Sequence, residues 1–226
     1  MMEAAQTLAQ RFIARIPTSQ TGALPPVAQR RHFRQGEVVC QKGDPGDAMY
    51  VIVKGQVRVV LPSGDGNEAL LGTLDDGDFF GELSLIDGEP RSATIIASLP
   101  TDTIVLLREG FQDFLRASPE VAIDMLQALS RRLRQSDEFI ADAAFLDVPG
   151  RLAKKLLELV DRYGKSAPNG TLIGLRFTQR DLAAMIGATR ESVNKHLQSF
   201  RLQGMIRMEG HRVVVCDRER LAHRVY

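Results

Sequence analysis

At 226 residues the chain can form one or two domains, each able to bury a core, and 44% hydrophobic with 25% charged residues is ordinary for a globular protein. No apolar run approaches the ~20 residues of a membrane-spanning helix, and acidic Glu3 with no apolar stretch before a small-residue cleavage site argues against a secretory leader. The net charge of +1 hides a split. Residues 150–226 carry 15 Lys+Arg against 7 Asp+Glu, net +8, and residues 1–149 carry 14 against 21, net −7. A basic half beside an acidic one points to a nucleic-acid partner. Cys40 and Cys216 are too far apart to form a metal-ligand cluster, so they read as free thiols of a cytoplasmic chain, both small apolar strand residues.

In chain order, Leu8, Phe12, Ile13 and Ile16 sit at helical spacing, and a short helix is expected over 3–16, ended by Pro17. Pro25-Pro26 marks a loop. From Arg31 to Leu107 glycines punctuate short β-branched runs. Strands are expected at 38–40, 49–53, 57–61, 69–71, 94–97 and 103–107, with a hairpin turn at Asp65-Gly66. Many short strands at even spacing imply a small barrel or roll.

Within this region residues 79–96 carry the most chemistry. Gly81 opens a short helix, Glu82 to Ile86, whose first N–H groups suit an anion. Arg91 can fork onto phosphate oxygens and Ser92 adds a hydroxyl. Glu82 is acceptor-only, so it suits a sugar hydroxyl and would repel phosphate. These groups together would hold a sugar with a phosphate beside it.

Gly81-Glu82-Leu83 and Arg91-Ser92-Ala93, between strand-like runs, closely resemble the phosphate-binding cassette of cyclic-nucleotide-binding domains. The phrases Phe33 to Glu37, Gly43 to Tyr50 and Gly55-Gln56-Val57 are similar to the β-roll of the same domains. The resemblance implies cyclic AMP as an allosteric ligand. Serine after Arg91, where cyclic GMP binders often carry threonine, favours it. Cyclic GMP, another signal nucleotide and a constitutively active variant stay open.

Residues 109–145 turn helical. Ala122, Leu126, Leu129, Leu133, Ser136, Ile140 and Ala143 step alternately by four and three, which is a heptad seam. A helix packed on its own domain usually shows a broader stripe, so a two-stranded parallel homodimer through residues 118–145 is expected, the alternative being a helix buried within its own chain. Ser136 is the lone polar member of the seam. In the family the long helix brings small polar residues to the nucleotide base, and Ser136 and Asp137 fall at the matching positions, with Arg132 also implied as a ligand residue. Asp137 departs from the hydroxyl or amide usual there. It could accept from adenine or pair with guanine, or it could be a solvated residue beside Arg134.

Phe145-Leu146-Asp147-Val148-Pro149-Gly150-Arg151 breaks the pattern and matches the family's hinge. The expected domains are 1–108, 109–147 and 148–226. Leu152 to Val160 reads as an amphipathic helix and Tyr163 to Gly170 as a polar loop. In the stretch 177–200, Thr178 caps one helix, Gly187 supplies a tight turn, and Thr189 caps a second helix with Val193, Leu197 and Phe200 facing inward. Gly204 ends it, and 205–215 reads as a hairpin wing. Arg190 can pair with guanine and Glu191 can accept from cytosine. Lys195 supplies a base-edge or phosphate contact, Asn194 reads adenine or stays on the backbone, and Arg180 positions phosphates.

The basic half thus resembles the winged helix-turn-helix of CRP/FNR regulators. That implies an α+β chain with a nucleotide-binding roll, a dimerisation helix and a DNA-binding domain. The implied partners are double-stranded DNA at palindromic GTGA-type sites and, by analogy with family activators, RNA polymerase, with no membrane role. The iron–sulfur branch needs a cysteine cluster that is missing. The haem-sensing branch needs axial ligands, and His32 is the sole histidine of that region. The rival class is a cyclic-nucleotide hydrolase, but the sequence offers no metal-ligand cluster and no nucleophile–base arrangement. No catalytic residue, metal or enzymatic activity is therefore expected.

Overall fold

The computed structural model describes residues 28–64, 68–175, 177–210 and 212–225. The expected helix over 3–16 and the Asp65-Gly66 turn lie outside them. The chain divides into two compact units, one up to Pro62 with Leu71–Leu133, the other Ser63–Leu70 with Arg134–Tyr226.

The first unit is a roll of two four-stranded antiparallel sheets. One runs β1 (Ala28–Phe33), β8 (Thr101–Leu107), β3 (Ala48–Lys54), β6 (Phe79–Phe80) across its width. The other runs β2 (Val38–Cys40), β7 (Thr94–Ala97), β4 (Val57–Pro62), β5 (Glu68–Leu74). Strand β3 explains the layering. Successive side chains of a strand point to opposite faces, yet Ala48, Met49, Tyr50, Val51 and Ile52 are all buried. Met49 and Val51 enter a core with Ile104, Leu106, Phe111, Phe114, Val121 and Met125. Ala48, Tyr50 and Ile52 enter a second core with Val57, Phe80, Ile95 and Val105. The strand is sandwiched between a helical layer and the opposite sheet.

The six expected strands are present, and two more frame them. β1 begins at Ala28 rather than Arg31. Its four middle residues are exposed at a sheet edge, so no apolar alternation announces it. β6 is two residues long and below the reach of any periodicity.

The predicted helical stretch 109–145 is two helices, α2 (Arg108–Ala117) and α3 (Pro119–Phe145), with α1 (Glu82–Asp87) preceding them in the roll. The break falls at Ser118 because Pro119, at a helix start, lacks only an N–H that would have had no intrahelical partner.

In the second unit α4 (Val148–Tyr163) is capped by Asp147, whose Oδ1 accepts from the Gly150 N–H at 2.8 Å. Pro149 and Gly150 therefore lie in the first turn of α4, and the predicted hinge narrows to Leu146 and Asp147. The predicted polar loop 163–170 is a hairpin, β9 (Gly164–Ala167) with β10 (Gly170–Ile173). Asn169 at φ 57° helps to turn it, a left-handed conformation that asparagine tolerates. Helices α5 (Gln179–Ile186) and α6 (Arg190–Leu202) precede the wing of β11 (Ile206–Glu209) and β12 (Arg212–Val215), and α7 (Arg218–Ala222) closes the series. The sheet order is β11-β12-β10-β9. The core joins Leu152, Leu156, Ile173, Leu182, Val193, Leu197, Phe200 and Ile206.

Both cysteines are free. Cys40 is partly buried in β2, but Cys216 is exposed and lies just past β12, not within a strand. Among the described residues no helix is long and apolar enough to cross a membrane.

Candidate nucleotide site and nucleic-acid interface

The roll places Gly81 between β6 and α1 at φ 81°, a left-handed conformation suited to glycine. A Cβ there would lie 2.6 Å from Arg91 Nη1 and 3.0 Å from the Ala48 carbonyl oxygen. Gly81 thus makes room for the Arg91 guanidinium, which donates from Nη1 to the Gly81 carbonyl at 2.8 Å. The neighbouring loop is as tight: a Cβ on Gly46 would overlap Ser84 at 2.2 Å.

Arg91 is only 5% exposed. Its Cζ lies 5.9 Å from the Tyr50 ring centroid, and Tyr50 stacks on Phe80 at 4.9 Å. Asp47 Oδ1 is 4.0 Å from Nη2 and highly exposed, so it screens little of the charge. Arg91 Nε is buried with no hydrogen-bond partner. A buried cationic donor left unpaired is costly, and an anion beside it would remove that cost.

Glu82, at the start of α1, is 3% exposed. Its Oε1 accepts from Arg132 Nη1 at 3.1 Å, while Arg132 Nη2 donates to the Phe79 carbonyl at 2.6 Å. The Arg132 guanidinium also lies 4.6 Å from the Phe79 ring centroid. Burial pushes the Glu82 carboxyl above its ordinary range, against the opposing pull of Arg132. A carboxyl with a raised folded-state pKa favours folding while protonated, and that contribution is lost as pH rises through the folded value. At pH 7 its burial therefore works against stability. Glu82→Gln is expected to melt no lower than wild type at pH 7 by scanning calorimetry, with the difference shrinking toward acid pH, while nucleotide affinity falls. A clearly lower melting point at pH 7 would mean the Arg132 pair outweighs burial.

Gly81, Glu82, Arg91 and Arg132 are thus gathered at one place. Ala93 is buried, and Leu83 and Ser92 are exposed. Ser136 and Asp137 lie farther along α3, exposed and within the second unit. Arg108 carries no sequence signal, yet its Nη2 donates to the carbonyls of Gly46 at 2.6 Å and Ser84 at 2.8 Å, tying the Gly43–Asp47 loop to the cassette.

Helix α3 has two apolar faces. Val121, Met125 and Ala128 are buried in the first unit's core. On the outer side Leu126 is 66%, Leu133 63% and Ile140 64% exposed. The heptad seam is therefore open at Leu126, Leu133 and Ile140, with Ala122 and Leu129 half-buried, and Arg132, implied as a ligand residue, is turned into the cassette.

In the second unit Thr178 Oγ1 accepts from the Asp181 N–H at 3.1 Å, and Asp181 Oδ2 accepts in return from the Thr178 N–H at 2.8 Å. This capping box holds the start of α5. Thr189 Oγ1 accepts from the Ser192 N–H at 3.2 Å and caps α6. Gly187, at φ 60°, turns the chain between them. Val193, Leu197 and Phe200 are buried as expected, and Arg180, Arg190, Glu191 and Lys195 are exposed. Asn194 differs from them: it is half-buried, and its Oδ1 accepts from Gln179 Nε2 at 3.1 Å. That bond ties α5 to α6 and leaves the amide's second lone pair and its N–H groups for a base edge or the backbone.

A roll with a paired Glu–Arg cassette, a long helix with an open seam, and a capped helix-turn-helix with a wing define a transcription regulator that joins a nucleotide-binding domain to a DNA-binding one. Residues 30–118 match the family description cyclic nucleotide-binding domain, and residues 150–224 match the Crp-like helix-turn-helix domain. The chain is similar to a CRP-like cAMP-activated global transcriptional regulator of Mycobacterium tuberculosis, 37% identical over 209 residues, 92% of this chain and 93% of that one. It is similar to the cyclic AMP receptor protein of Thermus thermophilus, 35% identical over 180 residues, 80% of each chain. Among solved structures it resembles the c-di-GMP-responsive global regulator CLP of Xanthomonas campestris, with TM-score 0.78, 26% identity, and coverage of 92% of this chain and 97% of that one. The chain belongs to the CRP/FNR family of transcription regulators, not to the enzymes.

Proposed function

We propose that the protein is a homodimeric, cyclic AMP-responsive transcription regulator of the cytoplasm that binds palindromic GTGA-type DNA. The observation that carries the ligand assignment is Arg91, buried with an unpaired Nε in the cassette that also buries Glu82. Arg91 and Ser92 take the cyclic phosphate, Glu82 takes the ribose hydroxyl, and Gly81, Leu83 and Ala93 shape the cassette. Arg132 orients Glu82, and Ser136 and Asp137 meet the base at the seam. Cyclic AMP leads because two relatives are described by it. Asp137 and the c-di-GMP-responsive neighbour keep guanine nucleotides as the competitors to test.

Ligand acts by population shift, biasing α3 and, through the narrow hinge, the two reading helices. It can move that equilibrium only by its differential affinity for the two states. Arg190 and Glu191 read a G·C pair, Lys195 adds a base-edge or phosphate contact, and Thr178, Arg180 and Thr189 hold the backbone. Asn194 positions α6 against α5. The Tyr163–Gly170 segment, mostly exposed along β9 and its turn, is the one offered to RNA polymerase.

The test is calorimetric titration with cyclic AMP, cyclic GMP and c-di-GMP, followed by DNA binding with and without each. Tight cyclic AMP binding that raises affinity for a GTGA palindrome is expected. Binding of c-di-GMP alone would reassign the ligand. In the same assay Arg190→Ala is expected to lose about 1–3 kcal/mol on the palindrome and to relax the preference for guanine. Arg180→Ala is expected to weaken all sequences alike and flatten the salt dependence by about one unit of slope. Equal loss on cognate and scrambled DNA for Arg190→Ala would make Arg190 a backbone contact.

A further inference from the structure

Away from the cassette and from the reading residues, one ion pair spans the hinge between α3 and α4. Asp142 lies in the last turn of α3 and Lys154 in the second turn of α4, with only Leu146 and Asp147 between the helices. Lys154 Nζ donates to Asp142 Oδ1 at 2.6 Å. The two side chains are 32% and 25% exposed, so the contact is partly withdrawn from water, where charge pairs act more strongly than on an open surface. Burial pulls the Lys154 pKa down, but the hydrogen bond and charge of Asp142, with Glu158 and Glu138 adding to them, raise it overall and keep the ammonium charged.

The surroundings are built to match. The Asp142 carbonyl accepts from the Leu146 N–H at 3.0 Å, so one residue both closes α3 and grips α4. The elbow is tight at Gly150, where a Cβ would lie 3.0 Å from Asp147 Oδ1 and 3.2 Å from the Arg224 carbonyl. Phe139, three residues before Asp142 and therefore on the same face of α3, has its Cζ 3.3 Å from where a Cβ on Gly187 would sit. The end of α3 meets the DNA-binding module at two points, an apolar one at the turn between α5 and α6 and an ionic one on α4.

We infer that Asp142 and Lys154 are positioning residues that stiffen the elbow, so that a displacement of α3 reaches the reading helix instead of being absorbed at Leu146–Asp147. The inference rests on the proposed role of a nucleotide in biasing α3. Its measure is the coupling factor, the ratio of DNA affinities with and without cyclic AMP in the full-length protein. Asp142→Asn and Lys154→Gln are each expected to lower that factor about three- to ten-fold. The double variant should do no worse than either single, because both remove one contact. Lys154→Arg should retain most of the coupling. Asp161→Asn, which breaks the exposed Asp161–Arg218 pair of the same unit, should change nothing.

Amide hydrogen exchange over residues 145–151 supplies a readout that needs no nucleotide. It should quicken in both singles and stay slow in Lys154→Arg. Wild-type coupling in both singles, or additive losses in the double variant, would overturn the pair's role. If wild-type protein shows no cyclic AMP effect on DNA binding, the functional proposal fails. Hydrogen exchange then decides the elbow alone, and unchanged exchange in the singles overturns it.

Discussion

Arg91→Ala is expected to lose about 2–4 kcal/mol of cyclic nucleotide binding, the order seen when a buried charge loses its partner, or roughly 30- to 1,000-fold in affinity. Arg91 is the guanidinium walled in at 5% exposure, with Gly81 and Gly46 both lacking a Cβ where one would press on it. Its Nη1 is spent on the Gly81 carbonyl, and its Nε is unpaired, so an arriving phosphate finds a donor that pays no further desolvation. Arg91→Lys is expected to recover only part of the loss, because an ammonium cannot keep the Gly81 contact and fork onto phosphate together. The fold should survive, since Arg91 itself belongs to neither of the roll's two cores and only borders the Tyr50 ring of one. Calorimetry checks the affinity and thermal melting checks the fold. Wild-type affinity in a folded Arg91→Ala protein would remove the anion from this cassette.

Leu133→Asp is expected to dissociate the proposed dimer and lower affinity for a palindromic site by at least about 100-fold, because two half-sites then bind as separate molecules. Leu126, Leu133 and Ile140 stand 63–66% exposed on one protomer. Covering three such side chains from each of two chains returns about 1–2 kcal/mol apiece. That total is comparable with the 4–15 kcal/mol lost on association, so one position can decide the balance. In a parallel seam residue 133 faces its own copy, and the substitution places two carboxylates together in an apolar setting. Sedimentation velocity at micromolar concentration should give monomer, with nucleotide binding by the roll reduced far less than DNA binding. A dimer that persists in Leu133→Asp would move the interface to another surface.

Much of the molecule could be read from the chain itself because its signals are local. Gly81, Glu82 and Arg91 lie within eleven residues, and a left-handed glycine before a short helix is a property of that stretch alone. Thr178, Gly187 and Thr189 announce their helix ends because capping acts over three or four residues. The heptad steps from Ala122 to Ala143 show which face of α3 is apolar, whatever that face meets.

Other features depended on partners distant in sequence, and only the tertiary structure decided them. Arg132 is placed near the ligand by resemblance alone, and its pairing with Glu82, fifty residues earlier, is set by the fold. Val121, Met125 and Ala128 form a second apolar face that a seven-residue repeat conceals, because α3 packs on the roll as well as presenting a seam. The tie of Asn194 to Gln179 on the other helix has no signal in the sequence. Asp142 and Lys154 each look like ordinary surface charges and become an elbow contact only when α4 turns back on α3. The edge strand β1 and the two-residue β6 exist because neighbouring strands offer them hydrogen bonds. Sequence patterns report what a segment can bury, whereas the pairing of charges and the joining of short strands depend on what the fold brings beside it.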